Sequence, residues 1–108
     1  MMLDDLDNDA EWLALLAGFK VNFLEGRVPA FLSAWQACHG LPASAWGDDL
    51  KRCLHGLAGT AAMVGHADVG DQARAIETLW DKHGAGDLRV HSGLDALAEA
   101  LRQIATAD

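Results

Sequence analysis

Apolar residues recur along this chain at three- and four-residue intervals, and no segment alternates apolar with polar positions as a half-buried strand would. Trp12, Leu15, Leu16, Phe19 and Phe23 form the first run. Asn8 with Glu11 three residues on reads as its N-terminal cap, and Glu25 and Gly26 close it. Pro29 suits the first turn of a second helix with Phe31, Leu32, Trp35 and Cys38 on its apolar face, ended by Gly40, Leu41 and Pro42. Ser44 is the cap of a third helix running to Gly65, whose stripe is Leu50, Leu54, Leu57, Ala61 and Val64. Asp68 caps a fourth with Val69, Ala73, Ile76, Leu79 and Trp80, closed by Gly84-Ala85-Gly86, and Ser92 opens a fifth with Leu94, Leu97, Ala98, Leu101, Ile104 and Ala105. Short connections between amphipathic helices favour antiparallel neighbours, so the pattern predicts an all-α, up-and-down bundle sharing one core. Trp12, Trp35, Trp46 and Trp80 are its expected core or core-edge anchors.

The third helix contains an anomaly. Gly56 and Gly59 flank His55 in mid-helix, where each glycine costs roughly 1 kcal/mol relative to Ala. With Leu50 at zero and about 100° per residue, His55 falls near 140° and Gly59 near 180°, on the face opposite the core stripe. Ala62 near 120° keeps the next turn low, Lys51 near 100° and Arg52 near 200° lie one turn before the histidine, and His66 near 160° lies three turns after it. An imidazole ring projecting from a cleared surface suits a nucleophile that enters another protein's active site. Imidazole keeps a free nitrogen lone pair at neutral pH and can accept a phosphoryl group, and nearby cations stabilise the transferring charge. Gly56, near 240°, lies to one side, where it eases the approach of a neighbouring helix.

The run His55-Gly56-Leu57-Ala58-Gly59-Thr60-Ala61, with Gly65 and the later Ala73, Ala75 and Glu77, resembles the histidine-containing phosphotransfer (HPt) domain, whose pattern is roughly H-x-L-K/A-G-S/T-A-x-x-x-G. The resemblance implies a four-helix bundle with an additional N-terminal helix, a phosphate-accepting His55, and relay of phosphate between aspartates of receiver domains in response regulators or hybrid histidine kinases. Many members carry Lys three residues after the histidine, where this chain has Ala58, so Lys51 or Arg52 is the candidate replacement cation. Gly59, Ala58, Lys51, Arg52 and Ala62 are thus the supporting positions. No nucleotide site is implied, so no ATP-dependent autophosphorylation is expected. Mg²⁺ belongs on the receiver's carboxylates, and this chain needs no cofactor of its own.

Composition narrows the alternatives. At 108 residues, 51 % apolar and with two prolines, the chain is one domain, in which residues 1–7 read as a flexible acidic lead. Its net charge of −8 repels phosphate backbones and argues against nucleic-acid binding. No run reaches a membrane span and the acidic start is not a secretory signal, so a cytoplasmic protein is expected, with two cysteines in a reducing compartment. Cys53 and His55 project about 200° apart and cannot chelate one ion, and neither C-x-x-C nor H-E-x-x-H spacing occurs, so no metal site is expected. Because one bundle can bury all its stripes, a monomer is expected. The competing reading is a non-catalytic helical adaptor in which His55 is degenerate. A bundle holding a metal or cofactor in its core would need inward polar ligands that the stripes do not offer.

Overall fold

The computed structural model describes residues 2–107, with side chains from residue 10 to residue 106. The side chains of the expected flexible lead over 1–7 fall outside the described residues, and the backbone is helical from Met2, so Asn8 lies inside the first helix rather than at its cap. The helices are α1 (Met2–Asn22), α2 (Val28–Cys38), α3 (Asp48–Thr60), α4 (Ala67–His83) and α5 (Leu88–Ala107), with no strand among the described residues. α2, α3, α4 and α5 pack in a ring, each against the next and α5 against α2. Short connections make the neighbours antiparallel, so the expected four-helix bundle is formed. Its core holds Phe31 and Trp35 of α2, Leu50, Leu54 and Leu57 of α3, Val69, Ala73 and Ile76 of α4, and Val90, Leu94, Leu97 and Leu101 of α5.

Several boundaries differ from the sequence expectation, each for a local reason. The first helix does not stop at Glu25-Gly26. Phe23–Arg27 forms a π-helical turn in which the Val28 amide reaches back five residues to the Phe23 carbonyl, and the flanking residues stay helical. Pro29, which lacks an amide hydrogen, is accommodated by this widened turn rather than by a break. Residues 2–38 are thus one rod, about 55 Å at 1.5 Å per residue, which matches the 58 Å long axis of the molecule. Ser44 lies in a short 3₁₀ turn, and Gly47 takes the N-cap of α3. His66 rather than Asp68 precedes α4. α5 begins four residues before Ser92 because Asp87 caps it, its carboxylate accepting the Arg89 amide at 2.8 Å and holding the Arg89 guanidinium at 2.9 Å. Those bonds, the Arg89 side chain first, lower the Asp87 pKa to about 2.

The larger correction concerns the stripe of the first helix. Of Trp12, Leu15, Leu16, Phe19 and Phe23, only Phe23 is buried. α1 meets the rest of the protein at its C-terminal end, against the π turn and the 3₁₀ turn Ala61–Val64, so its outer half has nothing to pack on. Trp12 is therefore 56 % exposed, unlike Trp35 and Trp46, which are buried, and Trp80, which is partly buried.

Candidate functional site

α3 carries its polar residues on one side because Leu50, Leu54, Leu57, Ala58 and Ala61 occupy the other. His55 stands on that outward side with 81 % of its side chain exposed. Glu77 reaches it from α4, one residue beyond the buried Ile76, with 17 % of its side chain exposed. The His55 Nδ1–H donates to Glu77 Oε2 at 2.9 Å. A carboxylate can only accept, so this contact fixes the proton on Nδ1 and turns the Nε2 lone pair outward. Lys51, Arg52 and Asp48 line a shallow depression with these two residues.

The supporting positions divide into two groups. Gly59 is exposed, and a Cβ built there would meet nothing within 4 Å, so the surface beside the imidazole is open as its angle predicted. Ala62 is exposed on the following 3₁₀ turn. Lys51 pairs with Asp81 and lies 5.7 Å from the centroid of the Trp80 ring, while Arg52 approaches Asp49 at 3.4 Å on its own helix. Both border the depression, and both are engaged by acids. Ala58 is buried at the α3–α4 contact, where a Cβ added to Gly70 of α4 would stand 3.5 Å from the Ala58 carbonyl oxygen, an ordinary contact distance. Gly56 admits the guanidinium of Arg27 from the π turn, a side chain rather than a helix backbone.

His66 does not share the face of His55. α3 tightens into the 3₁₀ turn and ends at Gly65, whose φ of 90° needs a residue without a Cβ. The chain turns there, and His66 stacks on Phe23 with ring centroids 5.8 Å apart.

Two site residues were not anticipated. Glu77 was part of the family resemblance but carried no assigned role; its i+3 relation to Arg74 and i+1 relation to the apolar Ile76 mark it as a groove-edge carboxylate of α4. The Arg74 Nη2 donates to the Ala58 carbonyl at 3.2 Å, so α4 delivers a cation beside the position that lacks the lysine. Nothing in α3 alone signals either contact.

A second histidine cluster lies between α2 and α5. Asp95 has His39 Nε2 at 3.6 Å and His91 Nδ1 at 3.7 Å, and accepts the Trp35 indole N–H at 3.0 Å. The His39 and His91 rings lie edge-on to Trp35. Cys38 nearby has its thiol pKa raised, by burial first and by the charge of Asp49 second. Among the described residues, no three His, Cys, Asp or Glu side chains stand together in a way that could hold a metal ion, and no helix is long and apolar enough to cross a membrane.

Comparison with curated proteins and with solved structures returns no match. The family model for the Hpt domain matches residues 27–107, which takes in all four helices of the bundle and the His55–Glu77 pair. On that match the chain belongs to the Hpt domain family, whose members carry phosphoryl groups on histidine in phosphorelays and interact with receiver domains.

Proposed function

We propose that this protein is a phosphorelay intermediate in which His55 takes a phosphoryl group from the aspartyl phosphate of one receiver domain and returns it to the aspartate of another. The observation that carries the reading is the pairing of an 81 % exposed imidazole with a largely covered carboxylate at 2.9 Å. Glu77 orients the ring and holds its proton on Nδ1. The Nε2 lone pair attacks phosphorus in line, the N–P bond forms as the P–O bond to the receiver's aspartate breaks, and the departing electron pair stays on that carboxylate. The imidazole becomes a phosphoimidazolium, and its positive charge, spread to Nδ1–H, sits against the Glu77 carboxylate. The reverse step delivers the group to the second receiver.

The cleared surface at Gly59 and Ala62, with adjoining residues of α2, admits the receiver. Mg²⁺ on the receiver's own acids neutralises the transferring oxygens, and Arg74, held at the Ala58 carbonyl, adds the cation that position 58 lacks. Lys51 and Arg52 face Asp81 and Asp49, and Arg74 has Asp71 at 3.8 Å; what favours Arg74 is its hydrogen bond to the Ala58 carbonyl. No nucleotide is used, and the domain works in the cytoplasm with its receivers.

The test is incubation with a panel of phosphorylated receiver domains, followed by assay for acid-labile, alkali-stable label on this chain. Wild type takes up label and His55→Gln takes up none. Equal labelling of the two proteins removes His55 from the reaction. Binding of a receiver without any labelling of wild type supports the adaptor reading in its place.

A further inference from the structure

We infer that α1 is a dimerisation helix that pairs antiparallel with α1 of a second copy of this chain. The outer part of α1 is apolar on nearly every side over residues 12–17, and Trp12, Leu13 and Leu15 are each more than half exposed. A helix of that character is buried in something. It is not buried in its own bundle, which α1 leaves along the axis of α2. It also lies outside the family-matched span, which begins at residue 27, so the phosphotransfer domain does not account for it. The premise of a monomer, that one bundle buries every stripe, fails at this helix.

The charge along α1 selects the occupant. Its N-terminal part carries five acids between Asp4 and Glu11 and no base, whereas between Trp12 and Asn22 the only charge is Lys20, followed in the π turn by Glu25 and Arg27, so residues 12–27 carry a net charge of +1. Two copies running parallel would stack the five acids on each other. Running antiparallel, each acidic end meets the basic end of its partner. A register centred between Leu15 and Leu16 sets Trp12 opposite the partner's Phe19 and Leu15 opposite the partner's Leu16. The 3, 1 and 3 spacing from Trp12 to Phe19 supplies the seam such a pair needs. The apolar seam itself, residues 12–19, lies outside the span that the family model matches.

Sedimentation equilibrium of the full chain tests this. Wild type at roughly 50 μM is expected at twice the 11.5 kDa of one chain, dissociating on dilution. The double variant of the exposed Leu15 and the half-buried Leu16, Leu15→Glu with Leu16→Glu, is expected to sediment as a monomer with an unchanged thermal midpoint extrapolated to the monomer. Lys20→Glu is expected to raise the dissociation constant several-fold, by an amount that shrinks in high salt. The proposal is overturned by a wild type that stays monomeric at every concentration, or by a double variant that remains dimeric. A double variant whose monomer melts well below that of wild type also overturns it, since α1 then folds back on its own bundle. A Lys20→Glu protein that dimerises more tightly overturns the antiparallel orientation.

Discussion

On one side of the bundle Glu77 holds a single imidazole, that of His55, at 2.9 Å, and leaves the rest of the ring in solvent. Between α2 and α5, Asp95 is shared by His39, His91 and the Trp35 indole, and the two histidines lie against an aromatic wall built from Trp35 and Trp46. Both arrangements join histidine to carboxylate. The difference lies in what each carboxylate is left to do. Glu77 has one bond to make and makes it at hydrogen-bond distance, which fixes a tautomer. Asp95 makes its one hydrogen bond to an indole, and its histidines stand beyond hydrogen-bond reach at 3.6 and 3.7 Å, so neither ring is oriented. Histidine and acid in proximity therefore do not make a nucleophile. A ring with one nitrogen anchored and the other exposed does.

The sharpest way to break this comparison is to remove each carboxylate in turn. Glu77→Ala frees the His55 ring and its tautomer and is expected to slow phosphotransfer by about a hundredfold, the scale of loss when a nucleophile is no longer held in its attacking geometry. Glu77→Gln, whose carbonyl can still accept from Nδ1–H, is expected to recover part of the loss. Asp95→Ala is expected to leave the transfer rate at the wild-type value. Rapid-quench measurement of label moving from a phosphorylated receiver gives all three rates. Equal losses for Glu77→Ala and Asp95→Ala would show that the distinction between the two sites has no functional content.

A second route is to give His55 the crowding that surrounds His91. Gly59→Leu places a bulky side chain in space that is now open. Transfer is expected to fall about tenfold through weakened docking, while stability rises by up to about 1 kcal/mol because an exposed helical glycine is replaced. Those opposite signs, read from receiver titrations and urea denaturation, separate clearance for a partner from a structural need for glycine.

Much of the bundle was legible in the sequence because burial follows periodicity. The stripes of α3 and α4, and that of α5 as far as Ile104, are where the three- and four-residue spacing puts them, while Ala105 is exposed, and His55 and Gly59 face outward as their angles require. What was not legible depended on two elements meeting. Glu77 and Arg74 are ordinary surface residues of α4 until α3 is laid beside them. The π turn was hidden because Gly26 and Pro29 signal a stop equally well. The stripe of α1 misled for the opposite reason: its periodicity is real, but periodicity does not say which molecule completes the burial. Asp87 was a cap concealed by Ser92, a capping residue five places further on.

Asp95 also has a structural side that Glu77 lacks. Removing it strands the Trp35 indole N–H in a partly buried position, and Asp95→Ala is expected to cost about 1 kcal/mol. Thermal denaturation reads this directly, and Asp95→Asn, which can still accept the indole hydrogen, is expected to restore most of it. A variant that loses transfer without losing stability at this position would mean that the α2–α5 cluster belongs to the functional surface after all.

The smallest expected effect comes from the third organised carboxylate, Asp87, whose partners are the Arg89 amide and guanidinium rather than a histidine. Its pKa of about 2 lies below that of a carboxyl in the unfolded chain, so the folded state favours the charged form. Its stabilising contribution is therefore complete above the unfolded value, about 3.9 for Asp, and is lost as pH falls through the folded value. Asp87→Asn keeps an N-cap acceptor but cannot titrate. Its stability is expected to be slightly below that of wild type at neutral pH and to converge on it as the pH drops from 4 towards 2, as followed by denaturant midpoints. A constant gap across that range would mean that the charge of Asp87 contributes nothing and that only the shape of the cap matters.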